Sequence, residues 1–72
     1  MRVEEVRQAL EDCKPYLTNW RAIEELLNDL LAESSSINSV IEDLEERATE
    51  ESDPTLRTDI RILVSRLKTV RA

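Results

Sequence analysis

The sequence predicts an all-α fold, an antiparallel bundle of three helices with coiled-coil-like seams. Apolar residues recur every three or four positions along most of the chain, which is the period of one helix face. Glycine is absent, so tight β-hairpins lack their favoured turn residue. The length of 72 residues suits one small domain, residues 1–72.

A first helix is predicted over residues 2–14. The apolar residues of the first 20 positions follow the alternating three-and-four spacing of a heptad seam: Val3, Val6, Leu10, Cys13, Leu17 and Trp20. Pro15 disfavours helical geometry at Lys14, so we expect a break there. Thr18 or Asn19 could cap the helix that follows.

The middle helix is predicted to be continuous over residues 19–50. The heptad spacing is kept across the polar run 34–39, because Leu30 and Ile37 are seven residues apart and a loop would normally reset the phase. The alternative is a break at 34–39, which gives four short helices. Serine and asparagine are weak helix formers, and Ser39 with Glu42 matches a capping box.

The last helix is predicted over residues 54–71. Asp53 is a favoured N-cap, and Pro54 suits the first helical position because its missing N–H needs no partner there. One apolar stripe follows: Leu56, Ile60, Leu63, Leu67 and Val70.

This architecture predicts association with another chain. A continuous middle helix is about 48 Å long at 1.5 Å per residue, and two shorter helices lying antiparallel to its halves leave one flank uncovered. A second copy or a partner helix could cover that flank. We therefore expect a protein partner, with a homodimer as the first choice.

Charge is distributed unevenly along the chain. Residues 1–53 hold five basic and fifteen acidic side chains, a net of −10, whereas residues 54–72 hold five basic and one acidic, a net of +4. Four basic residues of the last helix form a ridge beside its apolar stripe: Arg57, Arg61, Lys68 and Arg71. This ridge either pairs with carboxylates of the acidic helix or meets a partner. Tyr16 and Trp20 are four residues apart and are predicted to lie together on one helix face, as either core residues or interface anchors. The candidate partner-binding residues are Tyr16, Trp20, Arg57, Arg61, Lys68 and Arg71.

Composition argues against most chemistry. The chain has no histidine, one cysteine and no glycine, so the sequence predicts no metal site, no cofactor and no phosphate-binding loop. Adjacent glutamates on a helix point about 100° apart and do not converge on one site. We predict no catalytic residue, no enzyme activity and no small-molecule substrate. A net charge of −6 opposes nucleic-acid binding, and no apolar run is long enough for a membrane span.

Two functional hypotheses remain from the sequence. The first is a non-catalytic helical interaction module that self-associates through its heptad seams. The second is a small acidic inhibitor or antitoxin-like regulator that binds a basic site on a target protein as a polyanion mimic. The single unpaired cysteine, Cys13, favours a cytoplasmic location.

Overall fold

Four α-helices and one short 3-10 turn make up the fold. The computed structural model describes the backbone of residues 3–71 and the side chains of residues 3–70. The helices are α1 (Val3–Cys13), α2 (Trp20–Glu33), α3 (Ile37–Glu50) and α4 (Pro54–Arg71), with the 3-10 turn at Lys14–Tyr16. Within residues 3–71 there is no β-strand. The prediction of an all-α fold is confirmed.

The apolar residues that recur along the chain meet in one core. All four helices contribute to it, and α4 packs against both α1 and α3 along much of its length. The buried apolar residues are Val6, Ala9, Leu10, Cys13, Leu17, Ile23, Leu27, Leu30, Val40, Ile41, Leu44, Ala48, Ile60, Leu63, Val64 and Leu67. Burial of each large aliphatic side chain favours folding by roughly 1.5–3 kcal/mol. The apolar stripes therefore face one another within a single chain.

The continuous middle helix predicted over 19–50 is wrong, and the four-helix alternative describes the chain. Helix α2 ends at Glu33, and Ser34 and Ser36 are extended. The Ser36 hydroxyl caps α3 by accepting a hydrogen bond from the Ser39 backbone N–H at 3.2 Å. Ser36 therefore takes the capping role that the sequence assigned to Ser39. The serines break the helix because they form helix weakly and satisfy helix ends well.

The start of α4 agrees with the sequence prediction. Pro54 is its first residue. The Asp53 carboxylate accepts a hydrogen bond from the Thr55 N–H at 2.8 Å, and the Asp53 carbonyl accepts the first helical bond from Arg57 N–H at 3.0 Å. Asp53 thus serves as the N-cap of α4.

The start of α2 is held from across the molecule. Asn19 occupies the N-cap position, but its own side chain makes no capping hydrogen bond. The carboxylate of Asp59, on α4, instead accepts hydrogen bonds from the Thr18 N–H at 3.0 Å and the Asn19 N–H at 2.7 Å. Asp59 is 1% exposed and is the one charged residue that is buried among residues 3–70. It therefore fixes the start of α2 against the first half of α4.

Candidate protein-binding surface

Tyr16 and Trp20 do not share a helix face. Tyr16 belongs to the 3-10 turn and Leu17 is extended, so α2 begins only at Trp20. The predicted i, i+4 relationship between the two aromatic residues is wrong because the chain is not helical between them. Tyr16 is 73% exposed, whereas Trp20 is partly buried against the core. Tyr16 keeps its place as a candidate contact residue.

Trp20 is enclosed by charged side chains of its own chain. The Lys14 ammonium lies 4.7 Å from the centre of the Trp20 ring, and the Arg21 guanidinium lies 5.3 Å from it. Lys14 also pairs with Glu11 at 2.8 Å and with Glu24 at 3.1 Å. Hydrogen bonds to Glu11 and then Glu24 raise the pKa of Lys14. These contacts join α1 to α2 and leave Trp20 less available to a partner than Tyr16.

The basic ridge predicted on α4 is divided among different roles. Arg57 donates two hydrogen bonds to the Glu51 carbonyl, at 2.8 and 3.2 Å, and so closes the turn between α3 and α4. Lys68 pairs with Glu45 of α3 at 3.4 Å, as the interpretation of a ridge facing acidic residues predicted. Arg61 is exposed and makes no hydrogen bond or ion pair with residues 3–70. The side chain of Arg71 lies outside the described residues.

The sequence did not single out Arg66, although it joins two helices. Its guanidinium pairs with Asp12 of α1 at 3.0 Å. Hydrogen bonds from Gln8 first and then Arg66 lower the pKa of Asp12. Neither residue belongs to the ridge, and no local sequence signal links positions 54 residues apart. This pair is a consequence of the packing of α1 against α4.

An acidic groove lies between α2 and α3, and we call it the acidic trough. It consists of two adjoining depressions of ≈ 310 and ≈ 260 Å³ that share Arg47 and Glu50. Apolar side chains line its base: Leu26, Leu30 and Ile60. Carboxylates line its rim: Glu33, Asp43, Glu46, Glu50 and Glu51. Leu30 and Ile60 are buried and Leu26 is partly buried, so the trough presents mainly carboxylates, with a small apolar contact at Leu26.

The carboxylates of α2 and α3 are mostly not neutralised. Residues 20–50 hold nine acidic and two basic side chains, a net of −7. Among the described residues only Glu24 and Glu45 of this segment form ion pairs. The seven others make none: Glu25, Asp29, Glu33, Glu42, Asp43, Glu46 and Glu50. The uneven distribution of charge in the sequence predicted this excess of negative charge. The trough itself forms only because the helix breaks after Glu33 and so separates α2 from α3.

Two classes of site are absent from the described part of the chain. Residues 3–71 contain no group of three or more Cys, Asp or Glu side chains arranged to hold a metal ion. None of the helices α1 to α4 has the combined length and apolarity needed to cross a bilayer.

These features define a small four-helix protein with a closed apolar core and an acidic face. The chain belongs to the MJ1579 family, which matches residues 3–72. That family description names no activity, ligand or partner. Comparison with curated proteins gave no match, and comparison with solved structures gave none either.

Proposed function

We propose that this protein is a non-catalytic helical module that binds a basic segment of a partner protein in the acidic trough. The observation that carries the proposal is the set of rim carboxylates without ion-pair partners above an apolar base. Helices bind grooves of this kind through an apolar face, and opposite charges steer the encounter. The expected partner segment is an amphipathic helix that carries Lys or Arg beside its apolar side chains.

The apolar base of the trough favours a protein over other charged partners. Nucleic acid is repelled by a segment of net charge −7. A metal cation or polyamine would gain nothing from Leu26, the partly buried apolar residue at the base. A basic amphipathic helix gains from both the carboxylates and the apolar contact.

Arg47 supports the proposal from within the chain. It lines both depressions of the trough, yet it forms no ion pair within residues 3–70. Its guanidinium therefore occupies space among carboxylates without neutralising any one of them through a close contact. A partner's arginine or lysine would compete with Arg47, so Arg47→Gln should strengthen binding of a basic peptide.

This proposal develops the acidic-regulator hypothesis. Its inhibitory or regulatory action would follow from occupying a basic site on the target. The self-association hypothesis depended on an uncovered flank of a continuous middle helix, and that helix is broken at Ser34. The homodimer predicted from the sequence depended on that same flank; we propose a monomer instead, because the apolar stripes are buried within one chain. We place the protein in the cytoplasm on the ground of its one unpaired cysteine, Cys13.

The test is an NMR titration of the ¹⁵N-labelled protein with a synthetic amphipathic helix of leucine and lysine. We expect amide shifts along α2 and α3, and an affinity that falls steeply between about 50 mM and 500 mM salt. The double variant Glu46→Gln/Glu50→Gln should weaken binding by about tenfold, because both carboxylates line the trough.

A matched control separates the trough from the general field of the protein. Glu25→Gln/Glu42→Gln changes the net charge equally, on the same two helices, at exposed carboxylates that line neither depression. We expect an affinity within about twofold of wild type. Equal losses in the two double variants, or shifts spread over α1, would show that the peptide senses only overall charge and would overturn the proposal.

A further inference from the structure

A second groove lies on the opposite side of α3 from the acidic trough. It measures ≈ 330 Å³ and separates α3 from α4; we call it the α3–α4 groove. It is lined by Glu45, Ala48, Thr49, Arg61, Val64, Ser65 and Lys68. A rotation of about 100° per residue places these α3 positions away from Asp43, Glu46, Arg47 and Glu50 of the trough. The two grooves are therefore separate surfaces.

Three hydrogen-bond donors follow one another along the α4 wall of this groove. Arg61, Ser65 and Lys68 are spaced i, i+4 and i+7, which places neighbouring side chains one turn apart on one face. Neither Arg61 nor Ser65 makes a side-chain hydrogen bond within residues 3–70. Lys68 makes a long contact of 3.4 Å to Glu45, and both side chains are about half exposed, at 46% and 51%. These donors are available to a ligand in the groove.

We propose that the α3–α4 groove binds a phosphate monoester. The phosphate oxygens would accept hydrogen bonds from the Arg61 guanidinium, the Ser65 hydroxyl and the Lys68 ammonium, with Lys68 exchanging Glu45 for the ligand. A guanidinium, a hydroxyl and an ammonium offer more N–H and O–H donors than the two oxygens of a carboxylate use, and phosphate presents three acceptor oxygens. Ala48 and Val64 line the groove but are buried, so they offer the organic part of the ligand little surface, and the contacts to the phosphate oxygens dominate the binding.

The local charge permits this binding although the whole chain carries −6. Glu45 is the one carboxylate that lines the α3–α4 groove among the described residues, so the groove has two cations and one anion. The trough carboxylates lie across α3, and a helix with its side chains is about 10 Å wide. At physiological salt their field is largely screened over that distance, since the Debye length is about 8 Å. Glu45 is therefore the carboxylate that competes most directly with the phosphate for Lys68.

The test is a titration of the protein, monitored by NMR, with two probes: phenyl phosphate and a short peptide containing phosphoserine. Arg61→Gln should weaken binding of the phosphate probes by about tenfold, because it removes the unpaired guanidinium. Glu45→Gln should strengthen binding by about threefold or more, because it releases Lys68. A simple structural role for the Lys68–Glu45 pair predicts no such gain.

The control is Arg47→Gln, which removes an exposed and unpaired arginine from the opposite side of α3. It should leave the affinity for phosphate within about twofold of wild type. Tighter binding of phenyl phosphate would identify a small organic phosphate as the ligand, and tighter binding of the peptide would identify a phosphorylated protein segment; either supports the site. Absence of binding, or equal losses of phosphate affinity in Arg61→Gln and Arg47→Gln, would overturn the proposed phosphate site. Neither result would bear on peptide binding in the acidic trough.

Discussion

Replacing Asp59 by alanine should destabilise the bundle more than any other single change at a charged position of residues 3–70. Asp59 is 1% exposed, and its two carboxylate oxygens accept the backbone N–H groups of Thr18 and Asn19 at 3.0 and 2.7 Å. The alanine variant removes both acceptors. It leaves the Thr18 and Asn19 N–H groups, which directly precede α2, without their acceptor, and the Asn19 side chain makes no capping hydrogen bond of its own.

The size of the effect follows from these two bonds. A hydrogen bond to a charged group contributes roughly 1.5–3 kcal/mol to stability. Thr18 and Asn19 are exposed, so water can partly replace the lost acceptors and the lower end of that range applies. We therefore expect a loss of about 3 kcal/mol for the pair. A 72-residue domain has a total stability of about 4–11 kcal/mol, so the loss is a large fraction of the whole.

Urea unfolding followed by circular dichroism at 222 nm measures this loss. A loss of about 3 kcal/mol corresponds to a decrease in Tm of roughly 10–25 °C for a domain of this size. Asp29→Ala is the control, because Asp29 lies exposed on α2 without an ion-pair partner and carries the same charge. If the free energies of unfolding of Asp59→Ala and Asp29→Ala differ by less than about 0.5 kcal/mol, the stabilising role assigned to Asp59 is wrong.

Three further outcomes follow from local contacts. Ser36→Ala should lower the free energy of unfolding in urea by about 1 kcal/mol, because it removes the α3 cap. Ser35→Ala, at an exposed neighbouring position, should change it little. Equal decreases in the two variants would contradict the capping role of Ser36. The pKa of Asp12 is lowered below its ordinary 3.8, so its contribution to stability is present above that pH and is lost as pH falls through the folded pKa. Asp12→Asn should therefore lose less Tm than wild type on acidification from about pH 5 to pH 3, and equal losses would refute this. Burial raises the pKa of the Cys13 thiol above 9.0, so Ellman's reagent should react far more slowly with native than with urea-unfolded protein; equal rates would contradict the burial.

Periodicity in the sequence was sufficient to predict helices and their buried faces. Leu63 and Leu67 lie at the centre of the predicted α4 stripe and are fully buried. Pro54 after Asp53 identified a helix start because both signals are local. The break at Ser34 was not predicted as the first choice, because α2 and α3 each bury one stripe and the two stripes keep a heptad phase across the break.

The interactions between distant residues could not be read from the sequence. Asp59 lies 40 residues from Asn19, and its role depends on how α4 packs beneath the start of α2. Arg57 was predicted to meet a carboxylate or a partner, but it binds a backbone carbonyl at the α3–α4 turn. Charge counting located the acidic half of the chain, whereas the trough itself depends on the separation of α2 from α3.

The solution mass, measured by light scattering at low and at high salt, tests most directly whether one chain closes its own apolar core. We expect the single-chain mass of 8.3 kDa under both conditions, because the apolar stripes are already buried in one four-helix core. A dimer that persists at high salt would contradict it. Such a dimer would require an exposed apolar seam, as the continuous middle helix predicted from the sequence would provide.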